Sequence, residues 1–236
     1  MIDFKDIKAL TFDCYGTLID WESGIISTLR ELHTDLEPDD EHLLAMFATH
    51  EHKVQELNPS LLYTGVLEEV YRNIMNDLYL PTAMEKAKIF ASSAGTWPSF
   101  TDTVEALQRL SGRFRLVIVS NIDLTSVSRT LTLLKVPFHR VYTAQEMAFY
   151  KPDPGVFEYV LQSMDSEGIS RDEVVHVAQS LYHDHVPAAA IGLKRVWINR
   201  RWNKKGQGAT PAVSDEFIPH DIYPDLSTFA TSACRQ

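Results

Sequence analysis

Apolar positions along this chain fall into two regimes. The first is a set of short runs spaced by helix-period stretches. The mainly apolar run Ile7 to Phe12 ends abruptly in Asp13. Later come Leu116 to Val119, Val141 to Ala144, Val174 to Ala178 and Lys194 to Ile198, rich in β-branched residues and suited to strands buried on both faces. Between them lie the helical patterns Val104 to Leu110, Asp123 to Leu134, Gly155 to Met164 and Val186 to Ile191, the first with Thr101 or Asp102 as its cap. Strands that alternate with helices predict an α/β fold with a doubly wound parallel sheet.

The second regime runs from Asp20 to Gly95 and is helical throughout. Glu22 to Leu36 carries Ile25, Ile26, Leu29 and Leu32 on one stripe, and Glu41 to Leu57 has His and Glu on its polar face. Leu62 to Leu80 repeats Val66, Val70, Ile74 and Leu78, and Ala83 to Ala91 follows. Pro38, Pro59 and Pro81 break the helices from one another. The reading is a core of residues 1–19 and 97–236, with residues 20–96 an inserted helical domain and Ser92 to Pro98 the return linker.

Composition narrows the function classes. The chain has 236 residues, 44% hydrophobic and 23% charged, and a net charge of -10, which argues against a nucleic-acid partner. Arg200, Arg201, Lys204 and Lys205 around Trp202 therefore read as a solvated loop. Cys14 and Cys234 are the two cysteines, so no disulfide framework is expected and a cytoplasmic setting is the simplest. No run approaches membrane-span length, and Asp3, Lys5, Asp6 and Lys8 interrupt the start, so neither a membrane partner nor a signal peptide is expected. The tail from Gly206 is Pro-rich and weakly patterned.

Candidate chemistry sits at strand ends, where open α/β sheets bind ligands. Asp13 follows the first strand, Ser120-Asn121 the second, Lys151 precedes a helix, and Asp184 lies beyond the fourth strand. At these positions the chain resembles the haloacid dehalogenase superfamily of hydrolases. Phe12-Asp13-x-Tyr15-Gly16-Thr17-Leu18 is similar to its first motif, Ser120-Asn121 to its second, Lys151-Pro152 to its third, and the stretch to Asp184 to its fourth. The resemblance implies a five-stranded sheet of order 5-4-1-2-3, a cap domain in the helical insert, and a covalent ester on Asp13. It implies Lys151, Asp184, Thr17 and Ser120 as the catalytic companions. Lys151 would balance the charge of Asp13, Thr17 and Ser120 would orient it, and Asp184 would orient Lys151 or the hydrolytic water. Tyr15, Asn121, Trp21, Gln179 and Ser180 are the expected substrate contacts, with Asn121 and the N–H groups after it receiving a substrate carboxylate. Cys14 is read as core packing, because neighbouring strand residues face opposite ways.

The branch is indicated by what stands beside these residues. Phosphatases of this superfamily carry a second aspartate two positions after the first, where this chain has Tyr15. Gln179 takes the place of the first carboxylate of their fourth motif. A hard dication prefers several charged oxygens, so neither a cofactor nor a required metal is expected, and Mg²⁺ belongs only to a phosphatase alternative. His183 and His185 flank Asp184 but alternate in direction and do not make a metal pair. Tyr15 and Trp197-Ile198-Asn199-Arg200 resemble the type II 2-haloacid dehalogenase branch, which implies carbon–halogen cleavage on a small carboxylate substrate and, from relatives, a homodimer. That branch has a halide-receiving arginine in an early cap helix, and Leu43 to Gln55 has none. It also has a tyrosine soon after Lys-Pro, where Phe157 stands here. The missing arginine, with the Asp13 to Trp21 stretch, resembles enzymes that open L-azetidine-2-carboxylate, where the leaving atom is nitrogen.

Overall fold

The computed structural model describes residues 2–203, 208–210, 213 and 219–235. The first strand, β1 (Ala9–Phe12), is wholly buried, and the Asp13 N–H still bonds Val177 O at 3.1 Å. The chain then turns tightly. Gly16 takes φ +96°, a left-handed value that side chains disfavour, and Leu18 and Ile19 N–H both return to Cys14 O. This turn folds Thr17 back over the strand end.

Four helices follow without an intervening strand: α1 (Trp21–Leu32), α2 (Asp40–Leu57), α3 (Tyr63–Asp77) and α4 (Met84–Ser93). Asp20 caps α1 and Asp39 caps α2 through side-chain oxygens, as short polar residues at helix starts do. Helices α2, α3 and α4 pack on one another through Phe47, Val66, Tyr71 and Phe90.

The alternating half comprises α5 (Thr103–Ser111), β2 (Arg115–Ser120), α6 (Leu124–Leu134), β3 (Arg140–Thr143), α7 (Ala144–Met147), α8 (Gly155–Ser166), β4 (Val174–Ala178), α9 (Val186–Ala190) and β5 (Lys194–Ile198). It closes with β6 (Asp221–Tyr223) and α10 (Leu226–Arg235). Every pairing is parallel, in the order β3-β2-β1-β4-β5-β6. The first five strands thus have the neighbours expected from the resemblance. The sheet has six strands rather than five, because β6 adds itself beside β5. Its three residues, Asp-Ile-Tyr, are too few to set up a readable alternation. The two faces of the sheet carry separate cores, one with Leu10, Phe12, Ile118 and Val177, the other with Val117, Val119, Val156 and Phe157.

Two expectations about polar residues are corrected. Asp102 holds the N-cap position of α5 and its carbonyl accepts the Ala106 N–H, but its side chain makes no cap bond there; its Oδ2 accepts the N–H groups of Leu226 and Ser227 at the start of α10, 124 and 125 positions away. Arg200 and Arg201 are not solvated. Arg200 donates to Thr17 O and Asp102 and lies over the Phe100 ring, while Arg201 pairs with Glu22 and Glu41. The apolar surroundings and these acceptors draw both guanidinium groups inward. Trp202 is exposed; Lys204 and Lys205 lie outside the described residues, as does part of the weakly patterned tail. Among the described residues, no helix is long and apolar enough to cross a membrane.

Candidate functional site

The carboxyl ends of β1, β2 and β4 converge beneath the helices of residues 21–93, around a partly open cavity. Its floor is ionic. Lys151 Nζ donates to Asp13 Oδ1 at 2.8 Å, to Asp184 Oδ1 at 2.7 Å and to Val119 O at 3.0 Å. The three side chains are nearly or wholly buried, so their attraction is little screened. Burial opposes the ammonium charge, yet Asp13 and Asp184 hold the Lys151 pKa at about 12. Burial also works against the Asp184 carboxylate, but Lys151 and His176 keep it ionised well below the usual carboxylate range. Asp13 moves the other way: burial raises it, Asp184 adds to the rise, and Lys151 and Thr17 oppose it.

Each partner is held from a different element. Thr17 donates to Asp13 Oδ2 at 2.6 Å and accepts the Gln179 N–H at 2.8 Å, so the turn after β1 is locked to the end of β4. Asp184 sits in a wide helical turn, Leu181–His185, opened by the Ser180 hydroxyl accepting the His183 N–H. Lys151 is clamped by Asn121, whose amide donates to Lys151 O and whose carbonyl accepts the Lys151 N–H. Asn121 lines the cavity, but its side chain is occupied with the lysine's backbone rather than open to a carboxylate. Ser120 lines the cavity too, yet makes no hydrogen bond to Asp13; its oxygen takes a long 3.4 Å contact from Ile122 N–H.

The walls come from both halves of the chain. Tyr15 points its hydroxyl to Thr130 on α6 and sets its ring edge-on to Trp97. Trp21 packs edge-on to Phe47 of α2, and Gln179, Ser180, His183 and Thr210 complete the rim. Cys14 is fully buried, and burial pushes its thiol well up, away from the reactive thiolate. His183 faces the cavity while His185 turns away to Ala178 O. No three His, Cys, Asp or Glu side chains are grouped to hold a metal among the described residues.

Two site residues were not anticipated. His176, in the middle of β4, bridges Thr11 Oγ1 and Asp184 Oδ1, both at 2.9 Å. Its strand register beside Thr11 carried the signal, since a histidine amid valines needs a buried partner. The ring edge of Phe157 covers it. Glu51, on α2, is also buried at the cavity wall and is bonded by the Tyr63 hydroxyl. Its spacing from Phe47 and Val54, four and three positions away, is the sequence signal that sets it on the inner face of α2, apart from the exposed Glu and His around it.

Comparison with known proteins agrees with this fold. The chain is 22% identical to (S)-2-haloacid dehalogenase 4A of Burkholderia cepacia, over 99% of its length and 100% of the relative's. The L-2-haloacid dehalogenase of Xanthobacter autotrophicus with chloropropionic acid covalently bound superposes with a TM-score of 0.79, at 18% identity, covering 95% of this chain and 97% of that one. The putative hydrolase YfnB of Bacillus subtilis bound to magnesium has a TM-score of 0.73 at 17% identity, covering 96% and 98%. A family profile described as haloacid dehalogenase-like hydrolase matches residues 7–192, which hold Asp13, Lys151 and Asp184 together with the helices above them: this protein belongs to the haloacid dehalogenase-like hydrolases.

Proposed function

We propose that the protein is a metal-independent hydrolase of 2-substituted carboxylates that works through an ester on Asp13, with residues 20–96 as its cap. The observation that carries this is the position of Lys151 Nζ, within 2.8 Å of both Asp13 and Asp184. An ammonium lodged there supplies the positive charge that two carboxylates demand and, among the described residues, leaves Asp13 Oδ2 bound only by the Thr17 hydroxyl. That oxygen attacks the carbon next to the substrate carboxylate, the leaving group departs with the bonding pair, and water then cleaves the ester at its carbonyl. Asp184, itself positioned by His176, holds the lysine and orients the water. The Ser120-Asn121 turn faces the substrate carboxylate, and Tyr15, Trp21, Gln179 and Ser180 wall it in.

The first reading of the leaving group is halide from a 2-haloacid, as the names of the relatives suggest. A second reading, ring opening of L-azetidine-2-carboxylate, draws support from the cavity lining: no arginine lines it among the described residues. A Mg²⁺-dependent phosphatase is disfavoured by Lys151 between the two acids and by Gln179 where a third would be needed.

A single turnover in ¹⁸O-water tests the ester. The new product hydroxyl is expected to carry unlabelled oxygen from Asp13, with the label appearing in the protein. Fully labelled product in the first turnover overturns the reading. Chelator-sensitive hydrolysis of a simple phosphate monoester would favour the phosphatase instead.

A further inference from the structure

Attack by Asp13 leaves one buried acid of the cavity without a role. Glu51 is 4% exposed, faces the cavity from α2, and receives one hydrogen bond, from Tyr63. Its second oxygen has no partner among the described residues, and no lysine or arginine pairs with it. Among the described residues, the one lysine or arginine lining the cavity is Lys151, and it is already shared between Asp13 and Asp184. An acid held this way is costly unless the bound ligand answers it. A halide departing beside it would meet a like charge whenever Glu51 is ionised; a basic nitrogen would meet a complementary one.

We propose that Glu51, positioned by Tyr63, receives the leaving atom and shares one proton with it, so that this site is matched to a nitrogen leaving group and set against halide. The inference rests on the Asp13 ester reading. In the first step an Asp13 oxygen bonds to the carbon as the carbon–nitrogen bond breaks. The bonding pair goes to nitrogen, and the shared proton ends there, leaving Glu51 ionised beside an amine. In the second step water adds its hydroxyl oxygen to the ester carbonyl and the acyl–oxygen bond breaks. One proton of that water goes to the departing alkoxide and the other restores Glu51, so Asp13 is again a carboxylate. An unstrained amine leaves poorly, and ring strain supplies the missing driving force, which makes a four-membered cyclic amino acid the fitting probe. Burial puts the Glu51 pKa at about 7, with the Asp13 charge adding to the rise and Tyr63 opposing it, so the group can hold or yield a proton near neutrality.

The test assays wild type, Glu51→Gln, Glu51→Asp and Asp13→Asn with L-azetidine-2-carboxylate and, separately, L-2-chloropropionate. Wild type is expected to open the ring. Glu51→Gln should lower the ring-opening kcat by about 100-fold or more, the usual worth of a positioned acid, while chloride release rises. If Glu51→Gln does not fold, Glu51→Asp carries the same comparison, with a smaller drop confined to ring opening. Equal losses on both substrates would make Glu51 a structural residue and overturn the inference, as would ring opening indifferent to Glu51→Gln. So would a wild type that releases chloride but leaves the ring intact, or one that consumes neither. Turnover surviving in Asp13→Asn is a separate failure, that of the ester reading itself.

Discussion

At the scale of single residues the site is a balance of buried charges, and removing one group exposes the others. Lys151→Ala leaves Asp13 and Asp184 facing each other without a cation. Turnover is expected to fall at least about 1000-fold, and stability by about 3–5 kcal/mol, the usual result of breaking a buried pair. Activity assays and urea denaturation read the two losses separately. Glu51 has an opposite signature. Its pKa rises on folding from 4.5 to about 7, so its contribution to stability is present below pH 4.5 and lost as pH climbs through 7. Glu51→Gln keeps an acceptor for Tyr63 and does not ionise. The stability advantage of the variant over wild type should therefore grow between pH 5 and pH 8, to at most ~3 kcal/mol in denaturant titrations. Asp184 works in the reverse direction, because its folded pKa lies below the ordinary value. Its contribution is present above pH 3.8 and drains away as acid is added.

At the scale of elements, what was legible depended on how local the cause is. The β1 turn could be read because Asp13, Gly16 and Thr17 lie within five positions, and both the left-handed backbone and the Thr17 bond are made there. Helix α2 was read as an amphipathic helix, and it is one, but the pattern does not say what its inner face meets. Glu51 falls on that face among Phe47 and Val54, and only the arrival of Tyr63 and the carboxyl ends of the central strands makes it part of a site. Asp102 is legible only in part for the same reason: it holds the N-cap position of α5, but its side chain bonds elsewhere. Its position before α5 suggests a cap there, yet its carboxylate serves the first N–H groups of α10 and Arg200. Asp102→Ala should cost about 1–3 kcal/mol, with the loss of amide-exchange protection concentrated in α10 rather than α5. Equal protection loss in both helices would argue for a cap at α5 as well.

At the scale of the molecule, two halves meet over one cavity, and Arg201 is a tie between them. It reaches Glu22 in α1 at 2.6 Å and Glu41 in α2 at 2.7 Å from the loop after β5. Arg201→Met is expected to cost about 1–3 kcal/mol and to quicken amide exchange in α1 and α2 while leaving β1 and β4 protected. The sequence alone determined the strand–helix alternation, the helical stretch between Asp20 and Gly95, and the four short motifs that mark the family, because periodicity and turn chemistry act over a few neighbouring positions. Its motifs also implied the sheet order around β1. Tertiary structure alone decided the rest: β6 at the sheet edge, the inward turn of Arg200 and Arg201, Asn121 spent on the Lys151 backbone, and His176 and Glu51 in the site. Each of these depends on a partner many positions away, and burial sets the worth of a charge or a hydrogen bond only after the distant partner has arrived.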